Sequence, residues 1–156
     1  MFSAENLLQY TTDQKGSTMI LPIPKGEWVG VIQGDKLKFR EEESKKKGRE
    51  GEKFYVLDII VQFDDPAVKE ATKRENPTSR SGIFVDLTPD GTGLDMSQGK
   101  NISLNRLRDV LGQNQEGRPW SPAMLGGQAV KCKIDHEPDK NNPEIVYDRI
   151  TAFLPL

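Results

Sequence analysis

The sequence predicts a mainly β fold: an antiparallel barrel of five to six strands with one inserted amphipathic helix. Three observations lead there. Short runs of alternating apolar and polar residues recur along the chain, as half-buried strands require. Glycines interrupt those runs where a closing sheet must bend. One segment with helical periodicity, SLNRLRDVLG, comes late, between strands. A two-sheet β-sandwich carrying one helix is the alternative.

Residues 1–21 read as a flexible N-terminal arm. AENLLQY can form a short helical turn, and TTDQKGST is polar and turn-rich. Pro22 and Pro24 impose an extended lead-in, and residues 22–156 then form a single barrel domain. GEWVGVIQG (26–34) is the first strand, and Gly30 inside it marks a bend or the close approach of another backbone. DKLKFRE (35–41) alternates, as a second strand or as the first one bent past Gly34, with Leu37 and Phe39 on one face and Lys36, Lys38 and Arg40 on the other. EEESKKKGREGEK (41–53) is a charged loop. FYVLDIIVQF (54–63) is the strongest strand. Its Tyr55, Leu57, Ile59, Val61 and Phe63 make one apolar face, and Phe54, Val56, Asp58, Ile60 and Gln62 make a mixed one.

DDPAVKEATKRENPTSRSG (64–82) is a polar connection with one or two helical turns started by Pro66. IFVDLT (83–88) is a strand ended by the turn PDGTG. In residues 103–112, Leu104, Leu107, Val110 and Leu111 share a helical face. Ser103 is the expected N-cap and Gly112 the C-cap, with Arg106, Arg108 and Asp109 on the outer side. Residues 113–127 form a loop tipped by Trp120. QAVKCKID is a strand, HEPDKNNP a turn in which His136 is solvated, and EIVYDRITAFL (144–154) the closing strand of that hairpin. This order suits an OB-like barrel, which is five-stranded, partly open and often carries one helix.

At 156 residues the chain fits one domain, and it buries about 68–70% of its unfolded surface without disulfides. Its single cysteine, Cys132, reads as a small core residue, and its single histidine offers no metal cage and no triad. PDGTGLDMSQGK has nuclease-like residue types but no strand to fix ligands. PDKNNPE lacks the glycine and the length of a calcium loop. GxxxxGK[ST] and GxGxxG do not occur. The expectation is a non-enzymatic protein without cofactor or metal. No apolar run reaches the ~20 residues needed to span a bilayer, and the N-terminus lacks a signal-peptide pattern, so a soluble intracellular protein is expected.

The net charge is −2, which disfavours bulk coating of duplex DNA. Locally the picture differs: residues 36–53 carry +3, residues 100–133 carry +4 and residues 134–148 carry −4. Binders of single strands combine a basic groove with aromatic rings on which bases stack. The candidate basic set is Lys36, Lys38, Arg40, Lys45, Lys46, Lys47, Arg49, Arg80, Lys131 and Lys133. The candidate stacking rings are Phe54, Trp120 and Tyr147. In AVKCKIDHE, Lys131 and Lys133 share one face of a strand whose other face is apolar, and the expectation is that they line the groove.

Residues 81–134, with GKN…L.RLR..LG.N, the loop tryptophan, LGGQA and the preceding DDPAVKEAT, resemble small proteins of tailed bacteriophages, with the likeness extending over about 22–150. The resemblance implies an OB-like barrel that binds single-stranded DNA in phage DNA replication or recombination, in the cytoplasm of the infected host cell. It implies as partners single-stranded DNA, further copies of the chain, and phage replication or recombination proteins, with no membrane. Many single-strand binders end in an acidic tail; this chain ends in YDRITAFLPL, so protein partners are expected on the body or the arm. The alternative function is an interaction or virion-structural module that binds protein, with the arm ordering on a neighbour.

Overall fold

The computed structural model describes residues 4–156. Its spine is strand β3 (Lys53–Gln62), whose Leu57, Ile59 and Val61 are all but fully buried. One edge of β3 pairs antiparallel with β4 (Thr78–Val85) from Tyr55 to Gln62. The other edge is shared by two strands. β2 (Lys38–Glu43) pairs with Lys53–Asp58, and β1 (Gly26–Ile32) pairs at Val61 and Gln62. β1 and β2 thus behave as one long strand, bent through a 3-10 turn at Gly34–Lys36. β1 then pairs with β5 (Ala129–Pro138), and β5 pairs with β6 (Val146–Leu154).

The result is a six-stranded antiparallel sheet that curls on itself. Its two free edges, β4 and β6, come alongside each other without forming a ladder. With β1 and β2 counted as one bent strand, this is the strand order of a five-stranded, partly open OB-like barrel. Two short helices, α1 (Pro66–Thr72) and α2 (Ile102–Val110), add Val68, Leu104 and Leu107 to a single core cluster with Ile32, Phe63, Val130 and Ile134. α2 lies against β4 and β6, over their unpaired seam.

Local chemistry explains the element ends. Asp65 caps α1, its carboxylate accepting from the Ala67 amide at 2.9 Å, with Pro66 in the first helical position. α2 begins one residue earlier than the pattern indicates. Asn101, not Ser103, precedes it, in a left-handed conformation (φ 52°). The Asn101 amide group donates to the carbonyls of Asp86 and Asp95 at 2.8 and 2.9 Å, and its side-chain oxygen accepts from the Asp86 amide at 2.8 Å. One buried side chain therefore ties the end of β4, the 86–100 loop and the helix start together. At the other end Gly112 (φ 69°) allows the paired bonds Gln113 N–H to Arg108 C=O and Gly112 N–H to Asp109 C=O, which finish the helix.

Three further sequence expectations change. β4 starts at Thr78, inside the stretch read as a polar connection. Its inward Ser79 is buried because its hydroxyl donates to Asp148 Oδ1 at 2.7 Å, so a hydrogen bond replaces the apolar signal. His136 lies within β5 rather than in a solvated turn, and its Nε2 meets the Ile23 carbonyl at 2.7 Å. Arg108 is buried instead of outward. Among the described residues, Ile23 is the first that is buried. Residues 4–21 contribute none, and Ala4–Gln9 form a 3-10 helix with no buried side chain.

Gly30 is where β1 crosses β3. A Cβ there would sit 2.4 Å from Val61 Cγ1 and 2.8 Å from the Gln62 carbonyl oxygen. Gly30→Ala should therefore cost at least about 2 kcal/mol of overpacking, read as a lowered urea midpoint; a midpoint equal to the parent's would remove the close-crossing account. Cys132 is fully buried in the core, and desolvation pushes its thiol up to about 12, so it stays protonated at any ordinary pH. It should resist a disulfide reagent at pH 8 in the native protein and react at once in denaturant. Rapid native labelling would show that β5 is not held as described.

Candidate nucleic-acid interface

In an OB-like barrel the face of the second and third strands, with the loop joining the first two, is where oligonucleotides and oligosaccharides bind. Here that face is β3–β4, and the loop is residues 44–52 between β2 and β3. The register fixes what the face presents. Across β3 and β4, Val56 faces Phe84, Asp58 faces Gly82 and Ile60 faces Arg80. Across β2 and β3, Lys38 faces Asp58, Arg40 faces Val56 and Glu42 faces Phe54. Paired residues share a side of the sheet, so all of these point away from the core.

Phe54 and Phe84 are the rings of this face, 5.5 Å between centroids and inclined by 57°. Phe84 is 67% exposed, far more than any other aromatic side chain of the barrel strands. Sequence reading missed it. The signal was available: in IFVDLT, Ile83 and Val85 point inward, so Phe84 must point outward.

The centre of the face is neutral. Asp58 is 1% exposed although it lies on the outer side. Arg40 covers it, with Nε to Oδ2 at 2.5 Å and Nη2 to Oδ1 at 3.2 Å, and also bonds to Glu42. Arg80 Nε lies 3.9 Å from the same carboxylate. Gly82 stands opposite Asp58, where a Cβ would crowd Val56 Cγ1 at 3.1 Å. The hydrogen bond that Arg40 donates to the Asp58 carboxylate raises the Arg40 pKa above its ordinary value. Arg40 is thus a lid on a buried acid rather than a free phosphate ligand.

Free positive charge comes instead from the 44–52 loop. Its base is closed by Ser44 N–H to Glu52 C=O (2.7 Å) and Gly51 N–H to Ser44 C=O (3.2 Å). Lys45, Lys46, Lys47 and Arg49 are exposed and make no ion pair among the described residues. Lys46 and Arg49 border a cleft of about 290 Å³ whose far wall is Phe54, Phe84 and Asp86. Lys38 projects from β2 beside Asp58, and Lys36 is exposed in the 3-10 turn at the strand bend.

Four expected site residues lie elsewhere. Lys131 and Lys133 are on β5, opposite Val29 and Glu27 of β1. β5 touches neither β3 nor β4 in the sheet order, so these lysines do not join the loop and the rings in one groove. Trp120 is packed inward. The Arg108 guanidinium stacks on it at 4.4 Å, and its Nε1 donates to Gln113 Oε1 at 2.9 Å. Arg108 is 7% exposed and finds Asn105, the Met96 sulfur and the Gln113 carbonyl, so the indole serves it as a neutral partner. Tyr147 is on the surface, but its hydroxyl donates to Asp139 at 2.9 Å and its cross-strand neighbour is Glu137. The Asp139 carboxylate raises the Tyr147 pKa, and Asp139 itself is held low by the Asn141 amide. That acidic setting repels a phosphate chain.

Among the described residues no cluster of three or more His, Cys, Asp or Glu is placed to hold a metal ion, and no helix is long and apolar enough to cross a membrane. Trp120→Ala should lower stability by about 2–3 kcal/mol, less than the ~3–5 kcal/mol of a fully buried large aromatic because the ring is only half-buried; an unchanged denaturation midpoint would contradict the packing role. Sequence comparison leaves the reading to this geometry: no family model matches the chain, and no curated protein matches it.

Proposed function

We propose that the protein is a non-enzymatic single-stranded DNA-binding protein whose contact surface is the β3–β4 face and the 44–52 loop. The observation that carries the reading is the pairing of an exposed ring, Phe84, with Phe54 beside a loop whose Lys45, Lys46, Lys47 and Arg49 make no ion pair among the described residues. Bases stack on the rings. Lys46, Arg49 and their neighbours neutralise phosphates, and the released counterions drive association. Stacking tolerates any base, so weak sequence preference is expected. The likeness of residues 81–134 to tailed-phage proteins supports a role in phage DNA replication or recombination, in the host cytoplasm.

A second reading has its own observation. Residues 4–21 expose Leu7, Leu8 and Tyr10 without burying any side chain, which suits an arm that docks on protein, a further copy of the chain included. Native mass measured with and without oligo-dT separates the two: a discrete oligomer indifferent to DNA favours the second.

Phe84→Ala should weaken oligo-dT binding by about 1–3 kcal/mol, roughly 5- to 150-fold, because one stacked base is lost. Reversing Lys46 and Arg49 to Glu should flatten the log–log salt dependence by about 0.7 per phosphate contact removed. Trp120→Ala should leave affinity unchanged while the protein remains folded. Fluorescence titration at two salt concentrations measures all three. An affinity indifferent to Phe84 and to salt would end the proposal.

A further inference from the structure

The unpaired seam between β4 and β6 holds a cleft of about 450 Å³. Three guanidinium groups line it, Arg80 from β4, Arg106 from α2 and Arg149 from β6, and no carboxylate does. The surrounding charges are uneven. Arg80 leans toward Asp58 at 3.9 Å, and Arg149 lies 3.3 Å from Glu137 across exposed surface. Arg106 is exposed and has no ion pair among the described residues. The floor is apolar, formed by the buried Leu107 and Ile150. One end is sealed by the Ser79–Asp148 hydrogen bond; the other opens beside Phe84 and Phe153.

Phe84 lines this cleft and also the cleft under the basic loop. One ring therefore borders both clefts. Strand edges left without a ladder keep backbone N–H groups facing outward, and these donate to phosphate oxygens as well as any side chain.

We infer that the β4–β6 seam is a phosphodiester site, in which Arg106, with Arg80 and Arg149, holds the backbone of a single strand after it leaves the Phe54–Phe84 rings. The inference rests on the proposed function and extends it: the bound segment is longer than the ring platform, and the helix takes part. The simpler account is that the arginines only keep the open edges from pairing with another chain, since charge on an edge is a common guard.

Strand length separates the two. Affinity is measured for oligo-dT of about 4 and about 12 nucleotides, the range an OB fold accommodates, with the parent protein, Arg106→Gln and Phe84→Ala. Arg106→Gln should weaken the longer strand five- to tenfold and flatten its salt slope by about 0.7. It should change the shorter strand less than twofold and leave the denaturation midpoint alone. Phe84→Ala should weaken both strands. If Phe84→Ala weakens both while Arg106→Gln weakens neither, or weakens both lengths equally, the seam is not a phosphate site and the proposed function stands. If the parent binds neither strand at low salt, the proposed function fails and the seam inference fails with it.

Discussion

The close crossing of β1 over β3 at Gly30 is the constraint on which the rest of the structure depends. Val61, the Gln62 carbonyl and Phe63 occupy the space that any side chain would need. Only because that space is empty can one bent strand pair with β3 and then, further along, with β5. This double use curls the sheet. Without it β3 and β4 would lie in a flat sheet, and the loop after β2 would have no curved face to overhang. The single missing Cβ thus links sequence to topology, and topology to the placement of Phe54, Phe84 and the basic loop.

Charge on the face follows from burial. Asp58 sits on the outer side of β3 at a position where a carboxylate would normally be solvated. Taking it out of water requires a partner, and Arg40 supplies one with two hydrogen bonds. The strands of the face are then electrically self-contained. In the proposed function their contribution would be shape and ring surface, while long-range attraction would fall to the side chains of residues 45–49. A net charge of −2 is compatible with this division, because fields near a cleft are set by groups within a Debye length of about 8–10 Å, not by the whole-chain sum.

What the sequence made legible was the alternation. The spine strand, the amphipathic helix, Pro66 at a helix start, the close backbone approach at Gly30 and the core placement of Cys132 all follow from local periodicity or turn chemistry. The exposed side of the face was half legible: Phe54 was read from its neighbours, whereas Phe84 obeys the same rule in a shorter run. The failures have a common cause, which is that a partner distant in sequence decides burial. Ser79 is inside because of Asp148, Arg108 because of Trp120, and His136 is held by the Ile23 carbonyl. Lys131 and Lys133 point outward as alternation requires, but which part of the outside they occupy depends on the strand order. The residues of GKN…L.RLR..LG.N and LGGQA have structural roles. Asn101 ties a loop to the helix, Leu104 and Leu107 fill the core, Gly112 ends the helix, and Gly126 lies against Gly34.

The incomplete closure of the barrel and the uneven charge belong together. A β4–β6 ladder would satisfy both edges and remove the seam; instead the strands are joined at one end only, through Asp148, which accepts from both Ser79 and the Ile23 amide. Beyond that joint lies the β5–β6 hairpin with Asp135, Glu137, Asp139 and Glu144. In other OB-like barrels the equivalent loop can help hold a ligand, but here its carboxylates oppose a polyanion. The field therefore has a direction. It is favourable at the 45–49 loop, neutral over Asp58, favourable again along Arg80, Arg106 and Arg149, and unfavourable past Ser79. On the proposed function, a strand following that gradient would end at the Asp148 joint, and Tyr147, an exposed ring on the wrong side of it, is ill placed to stack.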